Sequence, residues 1–298
     1  MSLKSRKIID KANLLFVLPS LLIIALLLVY PILSSIFYSF TSKNLIKSSY
    51  RWIWLDNFKF VLTNPDFYWA FFNSIKWTIL SISGQLFIGA VAALSLNKIP
   101  KFSGFFRVLL IIPWSFPAIV ISFSWKWILN DVYGFIPNFL SKFKITDGNI
   151  NFLSDPKFAF WTVLFINIWF GAPLFMVNIL AALKTVPQEQ YEAAIVDGAS
   201  PFQVFRYITF RHIRGVIGLL VVLRTIWIFN NFDLLYLLTG GGPSDLTTTL
   251  PIYAYKTGWN LKRLGTASSI TILLLLFLIL VCFGYFKLLN KWEREDDR

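Results

Sequence analysis

Six runs of this chain are each long and apolar enough to cross a lipid bilayer, and that repeated pattern constrains its folding more than anything else in the sequence. A hydrocarbon core about 30 Å thick needs about 20 mostly apolar helical residues to span it. The runs 14–37, 71–96, 105–129, 158–183, 216–238 and 268–289 meet that length. The first is preceded by Lys4, Arg6, Lys7 and Lys11, as a signal peptide would be. It is nevertheless longer than the roughly 7–15 apolar residues of a signal sequence, and no small-residue cleavage site follows. It reads as a retained span, with Pro19 and Pro31 as places to bend.

Composition agrees with this pattern. Of 298 residues, 56% are apolar and 14% charged, against roughly 25% charged in soluble proteins. A chain this poor in charge cannot cover a soluble core of its size, which argues against an ordinary soluble enzyme and against disorder. The net charge of +13 suits either a nucleic-acid stripe or the flanks of membrane spans. With the N-terminus inside, inner segments carry about 15 Lys and Arg and outer loops about 10, the sign expected for a membrane protein. Lys76, Lys126 and Arg224 fall within or near spans. The expected partner is therefore membrane lipid and not nucleic acid. The resulting plan is an all-α membrane protein with a cytoplasmic N-terminus (1–13), a six-span domain (14–290) and a cytoplasmic tail (291–298) that should fray.

No catalytic constellation is present. His212 is the single histidine and sits in a basic segment, so histidine-based metal motifs are excluded. Cys282 is the single cysteine, which excludes an internal disulfide or a cysteine-based metal site. No P-loop occurs, and Gly240-Gly241-Gly242-Pro243 is followed by no lysine and reads as a loop. No catalytic or metal residue is expected, and no cofactor in this chain. Aromatic and polar residues at 50–54 and 64–69 suit the outer interface. The segment 130–156 is polar, with Asp147-Gly148 as a turn signal.

Two segments carry specific information. The inner loop 185–214 is far more polar than its flanks. Pro187 with Gln188 and Glu189 suits a helix start; Gly198 suits a left-handed cap; Ser200-Pro201-Phe202-Gln203 reads as an N-cap, a proline at N1 and a capping-box glutamine. The spacing predicts helix, glycine turn, helix, with Ala193, Ala194 and Ala199 as a small-residue face. The second segment is the fifth run, which holds Arg224, Asn230 and Asn231, with Asp233 beyond. A charged side chain at the bilayer centre costs at least about 2.5–3.5 kcal/mol unless it faces protein or water. These groups either hold helices together or line a polar path. Counted from Val216, Arg224 falls below the midplane and Asn231 in the outer half.

Glu192-Ala193-Ala194 followed by Gly198 resembles the EAA loop of permease subunits of bacterial binding-protein-dependent ABC importers. Ile208 fits that pattern's continuation; Phe210 and Arg211 depart from it, Arg211 replacing a proline. The segment 229–243, with Phe229-Asn230-Asn231-Phe232-Asp233, Tyr236 and Thr239-Gly240-Gly241-Gly242-Pro243, is similar to the first of two permease subunits in carbohydrate importers of the maltose and glycerol-phosphate type, and Thr247-Thr248-Thr249 fits as well. The resemblance implies the type I ABC importer permease fold. It implies that Glu192, Ala193, Ala194, Asp197, Gly198 and Ala199 dock on cytoplasmic ATP-binding subunits. It also implies that Asn230, Asn231, Asp233 and Tyr236 contact solute. ATP and Mg would belong to the partner ATPases; a second homologous permease and an extracytoplasmic sugar-binding protein would complete the importer, in the cytoplasmic membrane. A permease for a non-sugar solute such as a peptide or amino acid, and an ion-coupled secondary transporter, are the alternatives.

Overall fold

The computed structural model describes residues 16–146, 148 and 150–296. The basic segment 4–11, the first two residues of the first expected span, Asp147 of the expected turn, and the last two residues of the tail lie outside the described residues. In chain order the helices are α1 (Phe16–Ser39), α2 (Asp56–Thr63), α3 (Pro65–Lys98), α4 (Pro100–Ile111), α5 (Ala118–Ile128), α6 (Phe135–Lys142), α7 (Ala159–Leu183), α8 (Gln188–Val196), α9 (Pro201–Phe229), α10 (Asp233–Thr239), α11 (Leu250–Tyr255) and α12 (Leu264–Asp296). Among the described residues the only strand-like feature is a bridge between Thr41 and Trp52.

Five helices, α1, α3, α7, α9 and α12, are long and apolar enough to cross a membrane. The sixth passage, expected as one continuous helix over 105–129, is broken: Lys101–Ser115 and Ala118–Ile128 meet at 93°. Two prolines explain the corner. Pro113 lies in the 3₁₀ turn Ile112–Ser115 that ends the first half. Phe116 is extended (φ −92°, ψ 145°), as a residue preceding proline prefers, and Pro117 caps α5. Proline alone does not break these helices. Pro173 sits inside α7, and at Pro31 the chain stays helical while the preceding residues Ala25–Val29 widen to i→i+5 bonding.

Two further boundaries differ from expectation. The fifth span, expected over 216–238, begins at Pro201 and stops at Phe229. Asn230 leaves the helix with φ −88° and ψ 4°, and α10 follows as a separate short helix. The loop expected over 185–214 therefore ends at Ser200, because the capped helix runs straight into the span. The tail from Lys291, expected to fray, continues α12 to Asp296.

The chain forms two compact units, Met1–Phe67 with Ala254–Leu276, and Tyr68–Tyr253 with Phe277–Arg298. In the first, buried Asn57 is the hub. Its Nδ2 donates to the Ser39 and Thr41 carbonyls (2.8 and 2.9 Å), and its Oδ1 accepts from Thr266 Oγ1 at 3.0 Å. The apolar stretch of α1 has no buried residue. A helix apolar on every side and covered by none of the described residues of its own unit is suited to lipid. In the second unit α7 is the central helix, 61% of its apolar window being buried. Its Ile166, Phe175, Met176 and Ile179 join Trp77, Ile228, Leu234 and Leu235 in the core; α9 packs on α7, and α10 on α5.

Candidate functional site

The segment between α7 and α9 has the capped geometry that its residues dictate. Gly198 adopts φ +74°, with its N–H donating to Ile195 O (3.0 Å) and that of Ala199 to Ala194 O (2.9 Å). This pair of bonds satisfies the end of α8 and turns the chain. Ser200 N–H donates to Gln203 Oε1 at 2.7 Å, and Gln203 N–H to Ser200 Oγ at 3.4 Å, closing a capping box on α9. Tyr191 Oη lies 3.2 Å from Thr209 Oγ1 and ties α8 back to α9. Glu192, Ala193, Asp197 and Gly198 are exposed, and Ala194 and Ala199 half-buried. Beside them Val196 is 86% and Phe202 74% exposed, an apolar surface that none of the described residues covers.

Deeper in the same unit lies a polar layer. Arg224 on α9 is 8% exposed. Its Nε and Nη2 donate to Gln85 Oε1 of α3 at 3.0 and 2.6 Å. Gln85 Nε2 donates to Asn167 O of α7 (2.9 Å), and Asn167 Nδ2 to Ser81 Oγ (2.8 Å). Among the described residues no carboxylate pairs with Arg224; its guanidinium also lies 5.9 Å from the centre of the Trp227 ring. Gly171 makes the layer possible, because a Cβ there would strike both the Gln85 side chain and the Arg224 guanidinium.

One to two turns further, the helix breaks. Asn230 is exposed, and its Nδ2 donates back to Ile226 O at 2.8 Å. Asn231 is half-buried, with its Oδ1 fully buried and lacking a hydrogen-bond partner among the described residues. Asp233 is exposed in the first turn of α10, where its charge favours the helix start. Tyr236 stacks on Phe232 with centroids 4.7 Å apart. Asn230, Asn231, Asp233 and Tyr236 thus follow one short stretch, a break and the helix after it. The six residues of the capped turn form a separate group.

Beyond α10 the glycine loop is stapled. Thr239 and Thr247 hydroxyls are 2.7 Å apart, Thr248 Oγ1 donates to Gly241 O (3.0 Å), and Leu250 N–H donates to Ser74 Oγ on α3 (2.8 Å). Sequence reasoning named Arg224 but not Gln85, Asn167 or Gly171. The available signal was a glutamine and an asparagine in the middle of apolar runs.

A guanidinium and amides buried between spans are rare and costly in lipid, and they mark membrane proteins that handle polar or charged solutes; the fold and this layer define that class. The family is shown by comparison. Residues 85–295 match the model of the binding-protein-dependent transport system inner membrane component, and the chain belongs to that family. It is 30% identical over 285 residues to the trehalose/maltose transport system permease protein MalF of Thermococcus litoralis, covering 96% of this chain and 95% of that one. It is 29% identical to the diacetylchitobiose uptake system permease protein DasB of Streptomyces coelicolor, over 95% of this chain and 88% of that one. Its fold is that of a chain of a bacterial ABC transporter that imports the acidic polysaccharide alginate, with a TM-score of 0.83 over 97% of this chain and 99% of that one at 22% identity.

Proposed function

We propose that this chain is one half of the translocation pathway of an ATP-driven sugar importer. The observation that carries the reading is the near full-length similarity to sugar permeases, joined to a fifth span that breaks at Asn230 and Asn231. Amides supply both donors and acceptors to sugar hydroxyls; Asn230 is exposed at the break and Asn231 half-buried beside it. Asn230, Asn231, Asp233 and Tyr236 are the proposed solute contacts.

A second homologous permease completes the path, and an extracytoplasmic binding protein delivers the sugar. ATP and Mg are held by two cytoplasmic ATPase subunits, on which Glu192, Ala193, Ala194, Asp197, Gly198 and Ala199 dock. Both termini are cytoplasmic. Because α8 is joined to α9 by a tight turn and α9 runs from Pro201 to Phe229, with i→i+5 bonding over Phe205–Thr209, a pull on the docked turn is carried along one helix to the break. This chain transmits force and lines the path; hydrolysis belongs to its partners.

Purification from its own membrane in mild detergent tests the assembly: a P-loop ATPase and a second permease are expected to accompany the chain, and their absence overturns the reading. Asn231→Ala is expected to reduce sugar uptake about tenfold, the loss of roughly one hydrogen bond's 1.4 kcal/mol, with binding-protein-stimulated ATPase retained. Unchanged uptake with normal ATPase would remove Asn231 from the path.

A further inference from the structure

The second unit holds a cleft of about 680 Å³ that none of the expected roles uses, apart from sharing Tyr236. Its walls are the C-terminal end of α5, the corner at Asn130 and Asp131, the segment 151–154, and the end of α10 with its glycine turn. That volume lies within the roughly 300–1,000 Å³ typical of small-molecule sites.

Its polar groups are held in place. Asn151 Nδ2 donates to Asp131 Oδ2 at 3.2 Å, while Asn151 Oδ1 accepts from Ser154 N–H at 3.1 Å. Lys126 Nζ, 3.4 Å from the Leu237 carbonyl, has three donors and is not exhausted by one acceptor. The Thr239 hydroxyl is fixed by Leu235 O and Thr247. Tyr236, stacked on Phe232, gives the wall an aromatic ring.

This combination selects a ligand class. Lys126 and Asp131 balance one another, so neither an anion nor a cation is favoured. An apolar ligand would strip water from both charges and return nothing. A neutral polyhydroxylated ring can donate to the carboxylate, accept from the ammonium and the amide, and lay an apolar face on the aromatic wall. Because α10 joins the cleft directly to the break at Asn230 and Asn231, a sugar held here is covalently within reach of the path if it has more than one ring.

We infer that this cleft is an entry subsite that holds one ring of an oligosaccharide before it reaches the break; the inference rests on the sugar reading above. Ser154, exposed and on the cleft wall, is the reporter. In the intact importer in nanodiscs, Ser154→Cys in a Cys282→Ser background is labelled with a membrane-impermeant maleimide, with maltose, trehalose or diacetylchitobiose as the probe. At about nine times its Kd the bound sugar slows labelling about tenfold. The same sugar leaves Val132→Cys, at a position 75% exposed and outside the cleft, unaffected. Filling the cleft with Ser154→Trp raises the uptake KM of the protecting sugar severalfold without lowering binding-protein-independent ATPase. If wild-type importer takes up one of these sugars while that sugar leaves Ser154→Cys labelling unchanged, the cleft is overturned and the sugar reading stands. If the importer takes up neither these nor any other saccharide, the sugar reading falls, and the cleft's ligand with it.

Discussion

Arg224 shows how much one residue depends on its neighbours. Its two hydrogen bonds to Gln85 Oε1 are charge-assisted and buried, so removing the acceptor leaves a guanidinium stranded. Gln85→Leu is expected to destabilise the protein by about 3 kcal/mol or more, the penalty of an unsatisfied buried charged donor. Adding Arg224→Met should recover most of that loss, since an apolar pair of similar volume leaves no buried charge unpaired. A double-mutant cycle on thermal unfolding in detergent measures the coupling; additive losses would mean the two side chains do not act together. Gly171→Ala places a methyl on both partners and should destabilise by roughly 1–3 kcal/mol through overpacking, read in the same assay. The cost of Arg224 in lipid was legible from the sequence. Its partners were not, because nothing in the run 216–238 says which residue of a distant helix comes opposite it.

At the scale of the element, the turn at Gly198 was legible almost atom by atom, since caps are built from residues one to five positions apart. Added at Gly198, a Cβ meets no atom of this chain within 4 Å, so within the chain a substitution there strains only the backbone. Gly198→Val is expected to strain the left-handed turn by about 1–2 kcal/mol and to abolish the stimulation of ATP hydrolysis by delivered sugar while the protein still inserts. Survival of coupling would show that the turn is not the docking element. Ser200→Ala removes the capping box and should destabilise the start of α9 by about 1 kcal/mol, visible as faster amide exchange at Phe202 and Gln203. Proline shows where local reading stops. Pro173 and Pro31 remain inside helices, whereas Pro113 and Pro117 make a 93° corner. In lipid a freed carbonyl is tolerated where neighbouring groups or a local widening of the helix satisfy it; the widening at Ala25–Val29 before Pro31 is of the second kind.

For the whole molecule, the distribution of basic residues predicts sidedness. In a Cys282→Ser background, cysteines at Ser2 and Arg298 should react with an impermeant maleimide only after the membrane is opened, and Lys43→Cys should react without opening. Labelling of both ends from outside would invert the topology and place the capped turn away from any cytoplasmic ATPase. The exposed apolar surfaces fit a subunit of something larger. Apolar α1 suits lipid, and Val196 and Phe202, exposed beside a polar turn, suit the ATPase docking proposed above.

The sequence by itself determined that the chain is helical and membrane-spanning, where its apolar runs fall, and how the turn at Gly198 closes, because each rests on composition or on contacts within a few residues. Only the tertiary structure decided that the third passage is bent, that the fifth span stops at Phe229, and that Arg224 meets Gln85 in the space Gly171 leaves. It alone joined Lys126, Asp131, Asn151 and Tyr236 around one cleft. Those outcomes depend on which turn of one helix faces which turn of another, and that pairing is settled by packing among segments up to 139 residues apart rather than by any segment alone.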